Sequence, residues 1–112
     1  MQLDITFRNL RGRESVKARA EALASKLERF LDPAAEARLV ISVEHSLAIV
    51  EMVIRSRGQT FKAKEENEDL RAAMDGMFHT MEGQLRRFKE RRQEHRSRGQ
   101  ETERSLEGSG SV

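Results

Sequence analysis

The sequence predicts an α+β two-layer sandwich of order βαβββα, a four-stranded sheet with two helices on one face. Three observations carry this. Four short segments alternate apolar and polar residues, two longer segments repeat apolar residues every three or four positions, and turn-forming residues punctuate the series.

Gln2 to Phe7 sets Leu3, Ile5 and Phe7 on one face and Gln2, Asp4 and Thr6 on the other, which is the period of a half-buried strand. Asn9 to Arg13, with Gly12, reads as a loop. Glu14 to Leu31 is helical, with Val16, Ala20, Leu23, Leu27, Phe30 and Leu31 in one stripe and Arg19, Lys26 and Arg29 beside it. Asp32-Pro33 stops that helix, because proline has no N–H to donate and restricts the residue before it. Ala37 to His45, Val50 to Ser56 and Gln59 to Lys64 then alternate as strands. Leu39, Ile41, Val43, Val50, Met52, Ile54, Phe61 and Ala63 form the apolar phases, and Arg57-Gly58 reads as a tight hairpin turn. Arg38, Ser42, Glu44, Arg55, Lys62 and Lys64 make the opposite face mostly wet. If the first two strands are parallel neighbours, the helix between them makes a right-handed crossover.

The last helix starts near Asn67 to Asp69, where either residue is a suitable cap. The acidic group Glu65, Glu66, Glu68 and Asp69 suits the positive end of its dipole. Its stripe is Leu70, Ala73, Met74, Met77, Met81, Leu85 and Phe88. The span from Leu70 to Phe88 is about 27 Å, already the reach of a strand, at ~1.5 Å per helical residue. Arg91, Arg92 and His95 continue where the stripe would have gone, and a core does not take such charges cheaply. The basic end should therefore overhang the sheet. Residues 1–96 are expected to form one domain and residues 97–112, polar and aperiodic, a disordered tail.

Composition narrows the function classes. With 112 residues there is room for a single small core, and with no Cys there are no disulfides, thiolate nucleophiles or thiolate metal sites. The start is not a signal peptide and no apolar run spans a bilayer, so a cytoplasmic location with no membrane partner is expected. The net charge of +2 hides a strong polarity: between Arg86 and Arg98 stand seven Arg or Lys against two Glu. Such a cluster fits an anionic partner, and a solvated, salt-bridged helix face is the alternative that charge alone leaves open.

No constellation converges on chemistry. His45, His79 and His95 lack metal-ligand spacing, no glycine-rich phosphate loop or nucleophile elbow is present, and Met74, Met77 and Met81 read as core filler. The chain is therefore expected to be neither an enzyme nor a cofactor or small-molecule binder. Without Trp or Tyr, and with Phe assigned to the core, base stacking on single strands is disfavoured against recognition of phosphate and shape in folded RNA.

Several stretches carry a family resemblance from Met1 to about His95: Met1-Gln2-Leu3-Asp4-Ile5-Thr6, Lys26-Leu27-Glu28-Arg29-Phe30, and Asp69-Leu70-Arg71-Ala72-Ala73-Met74-Asp75-Gly76, followed by Gln84-Leu85 and a basic end. In these the chain resembles the short ribosome hibernation-promoting factors, also called ribosome-associated inhibitor A or sigma-54 modulation proteins. The resemblance implies a fold similar to double-stranded-RNA-binding domains. It also implies binding to the small ribosomal subunit through rRNA, in the channel of messenger and transfer RNA, with translation inhibited under stress or in stationary phase. The basic positions matching the family's rRNA contacts are Lys26, Arg29, Arg87, Lys89 and Arg91, and Arg86 and Arg92 extend the patch. Arg71 stands where the family usually has an aromatic residue, and Leu23 where a basic one is common. Long members carry a further domain that pairs ribosomes, which at this length the chain is expected to lack. The competing reading is a protein-interaction module of the same fold that regulates transcription without ribosome binding.

Overall fold

β1 (Gln2–Arg8) lies parallel to β2 (Glu36–Glu44), which pairs antiparallel with β3 (Leu47–Ser56), which pairs antiparallel with β4 (Gln59–Asn67). The sheet order is β1-β2-β3-β4. α1 (Glu14–Ser25) joins the parallel pair, and α2 (Leu70–Arg104) follows the last strand. This is the βαβββα order expected. The computed structural model describes the backbone of residues 1–104 and the side chains of residues 1–93.

Register explains the core. Ile5, Leu39, Met52 and Ala63 stand opposite one another in one row across the sheet, and Leu3, Ala37, Ile54 and Phe61 in the next. Because strand side chains alternate, both rows face the same side. There they meet Met74, Met77, Met81 and Leu85 of α2, all of which are fully buried together with Leu39, Ile41, Val50, Met52 and Ile54. The other face carries the rows Asp4–Arg38–Val53–Lys62 and Thr6–Val40–Glu51–Lys64, and apart from the half-buried Val53 and Val40 each of these residues is exposed.

Four local features depart from the sequence reading. First, α1 ends at Ser25 rather than Leu31. The amides of Lys26 and Leu27 bond back three residues, to the carbonyls of Leu23 and Ala24 at 3.2 and 2.9 Å, and a 3-10 turn over Glu28–Phe30 follows. The tighter winding keeps Leu27 and Leu31 buried while Phe30 stays half-exposed. Second, Ala24 and Phe78 are buried and widen the two helix stripes. Third, Glu65 and Glu66 belong to β4, not to the helix start. Fourth, α2 runs on to Arg104, into the segment read as a tail, and residues 105–112 lie outside the described residues.

The punctuation is physical. Asp69 caps α2, its Oδ1 accepting from the Arg71 amide at 2.9 Å, and Asn67 Oδ1 accepts from the Asp69 amide at 2.9 Å. After α1, the Asp32 amide donates to Ser56 Oγ at 3.1 Å and Asp32 Oδ2 accepts from the Arg57 amide at 3.0 Å. That tie joins the end of the helical segment to the β3–β4 turn. In this turn Arg57 and Gly58 have φ of 53° and 73°, as a primed hairpin turn needs. The β2–β3 turn has the same form at His45 and Ser46, with φ of 51° and 66° and no glycine to announce it. Gly76 has a different task. A β-carbon there would stand 3.1 Å from Glu65 Cγ, so the bare helix surface makes room for an acidic side chain on the inner face of β4.

Two stability measurements follow. Met77→Ala should lower the unfolding free energy in urea by about 2–5 kcal/mol, since it empties a fully buried site. Replacing His45-Ser46 by Asn-Gly should raise it by about 1 kcal/mol, because these residues tolerate the left-handed backbone that β-hairpin turns demand.

Candidate nucleic-acid interface

The basic residues sit where the 3-10 turn after α1 passes beside the middle of α2. The 3-10 turn after α1 supplies Arg29, and α2 supplies Glu82, Arg86 and Lys89. Arg29 Nη2 donates to Glu82 Oε1 at 3.0 Å, and Arg86 Nη2 donates to the same oxygen at 3.1 Å. The Arg29 guanidinium lies 4.6 Å from the centre of the Phe30 ring, and Lys89 Nζ lies 5.7 Å from that centre. Phe30 is thus a shared platform for a cation from each helical segment, held by the attraction of positive charge to the ring's electron-rich face. Lys26, at the C-cap of α1, is exposed nearby in the chain.

The remaining basic residues take other positions. Successive residues turn by ~100° around a helix, so Arg87 lies about 160° from Lys89. Arg87 and Arg91 share the flank of Gln84, whose Nε2 donates to the Lys62 carbonyl of β4 at 2.6 Å. Both arginines are exposed. Arg92 stands 5.6 Å over the ring of Phe88, which meets Phe61 of β4 edge-on at 5.4 Å. Phe88 is the last contact of the apolar stripe with the sheet, and the axis of α2 continues about 24 Å beyond it to Arg104 at ~1.5 Å per residue. The structure therefore gathers Arg29, Arg86 and Lys89 on one flank and places Arg87 and Arg91 on the other. His95, Arg96 and Arg98 lie outside the residues whose side chains are described.

Sequence reasoning missed three participants. Phe30 and Phe88 read only as core, yet each carries a cation on its ring. Glu82 was overlooked, although its spacing of four from Arg86 is the spacing of a helical ion pair. Its second partner, Arg29, lies 53 residues away and left no sequence signal. A further ion pair, Arg19 Nη2 to Asp75 Oδ1 at 2.6 Å, ties the middle of α1 to α2.

Elsewhere the surface is mixed. The open sheet face sets Asp4, Glu36 and Glu51 among Arg38, Arg55, Lys62 and Lys64. Among the described residues no three His, Cys, Asp or Glu side chains form a metal-binding group, and no helix is long and apolar enough to cross a membrane.

Residues 3–93 match the family model described as sigma 54 modulation protein / S30EA ribosomal protein. The chain is 30% identical over 95 residues to a ribosome hibernation promoting factor of Klebsiella oxytoca, an alignment covering 85% of this chain and all of that one. The crystal structure of the Thermus thermophilus Protein Y N-terminal domain superposes with a TM-score of 0.72 at 26% identity, covering 79% of this chain and 99% of that chain. A ribosomal subunit interface protein from Coxiella burnetii shares the fold, with a TM-score of 0.65 at 22% identity over 80% of this chain and 98% of that one.

Phe88→Ala should remove the last anchor of the helix end. Thermal or urea unfolding should show a loss of about 1–3 kcal/mol, less than for a fully buried Phe because this ring is half-exposed.

Proposed function

Because the chain belongs to the sigma 54 modulation protein / S30EA ribosomal protein family, we propose that it is a ribosome hibernation factor. It binds the small ribosomal subunit through rRNA, occupies the channel of messenger and transfer RNA, and inhibits translation under stress or in stationary phase. It acts in the cytoplasm by docking and steric exclusion, with no catalytic step. Residues 1–96 are the binding domain, and Lys26, Arg29, Arg86, Arg87, Lys89, Arg91 and Arg92 are the rRNA-contacting set.

One observation of geometry carries this reading: the stretch of α2 from Arg86 to Arg91 bears cations on both flanks. A partner lying flat against one helix face would meet only one of them. Folded RNA that surrounds the helix end presents phosphates to both, and a crevice between rRNA helices has that form. The mixed charge of the open sheet face gives no comparable attraction for a polyanion.

Binding to purified small subunits should weaken steeply with salt, because each neutralised phosphate releases counterions. Changing Arg87, Lys89 and Arg91 to Glu should abolish co-sedimentation with small subunits while leaving the circular dichroism spectrum unchanged. Full co-sedimentation of that variant would sink the assignment of the patch. Wild-type protein that stays at the top of the gradient in low salt would instead favour a transcriptional regulator.

A further inference from the structure

We propose that Glu82 is a positioning residue that holds Arg29 and Arg86 together as a clamp for a single phosphodiester of RNA. The inference rests on the reading of the helix end as an rRNA interface and adds an acidic member to it.

The geometry is specific. Arg29 and Arg86 come from segments far apart in sequence, and two guanidinium groups repel at close range. Both nevertheless donate to one oxygen, Glu82 Oε1, at 3.0 and 3.1 Å. Each bond uses one donor of a five-donor fork, so most of each guanidinium edge remains available. The side chains of Arg29 and Arg86 are 64% and 50% exposed, and that of Glu82 31%, so the anion sits deeper than the cations it holds. The Arg29 guanidinium also lies over the Phe30 ring, 4.6 Å from its centre, and Lys89 Nζ lies 5.7 Å from the same centre. Two cations thus converge on one carboxylate, with a third on the neighbouring ring, and the group retains a net positive charge. A phosphate bridging the outer edges of the two forks would gain charge-assisted hydrogen bonds without displacing Glu82. Ordering two long side chains before the RNA arrives removes an entropic cost of binding.

The opposite role is the natural competitor: Glu82 as an internal stand-in for phosphate, which RNA must displace. The two roles predict opposite signs. Glu82→Ala raises the net charge by one, so simple attraction to a polyanion predicts tighter binding. The clamp predicts binding to small subunits weakened about 10-fold at fixed salt, since two phosphate-contacting arginines lose their common anchor. Glu82→Gln, which keeps the shape and loses the charge, should fall in the same direction by a smaller factor. In an Arg29→Ala/Arg86→Ala background, Glu82→Ala should change binding less than about twofold, the behaviour of residues that act as one unit.

These measurements use anisotropy or co-sedimentation with purified subunits, alongside thermal melts of every variant. Tighter binding by Glu82→Ala overturns the clamp, and so does an equal loss in the double-arginine background. Wild-type protein that fails to bind small subunits overturns the rRNA reading itself and the clamp with it. Normal wild-type binding with an unaffected Glu82→Ala variant overturns the clamp alone.

Discussion

The structure depends on one contact layer: the methionine-rich stripe of α2 laid across the inner face of the sheet. Met74, Met77, Met81 and Leu85 are fully buried, as are the facing Val50, Met52 and Ile54 of β3. With no Trp or Tyr available, unbranched thioether side chains fill the irregular space between helix and pleated strands. The layer sets the position of the basic cluster. The stripe ends at Phe88 against Phe61, so the basic end of α2 begins where the sheet ends. The carboxylates Asp75 and Glu82 on the flank toward α1 meet Arg19 and Arg29 and thereby align the two helical segments.

Such exposed ion pairs stabilise the fold only slightly, by roughly 0–1 kcal/mol each. Their value lies in geometry. A helix end carrying only arginines would place long, mutually repelling side chains in many rotamers. Here an acid and two phenylalanine rings restrict three of them, at positions 29, 86 and 92. The seam therefore combines positive charge with side chains held by partners of their own, and restraining side chains beforehand lowers the entropic cost of any docking.

Much of this was legible in the sequence, for reasons that can be named. Period-two alternation located all four strands, because the sheet has one buried and one wet face. The stripe of α2 and its overhang followed from helical spacing and length, while residue type narrowed the cap to Asn67 or Asp69, of which the structure uses Asp69. The glycine of Arg57-Gly58 announced one hairpin turn. His45-Ser46 was not announced, since residues with β-carbons seldom adopt positive φ and the pattern shows no breaker. The end of α1 was misplaced because Leu27 and Leu31 keep a helical spacing of four, although the chain between them winds as a 3-10 turn and Leu31 is already extended. The candidate site was half legible: the cations could be counted, while their division into two flanks required knowing which side of α2 faces β4. The link of Arg29 to Glu82 is a product of the fold and has no local signature.

The hydrogen bond from Gln84 to the Lys62 carbonyl has a consequence for how the molecule behaves in a crowd of its own copies. β4 is an edge of the sheet, and an edge offers backbone groups to any passing strand. Gln84 reaches from α2 to occupy one of those acceptors, while Lys62 and Lys64 add charge along the same strand. Two edges brought together would have to break that bond and crowd lysines against lysines. The device works against strand-to-strand pairing at the β4 edge of the sheet.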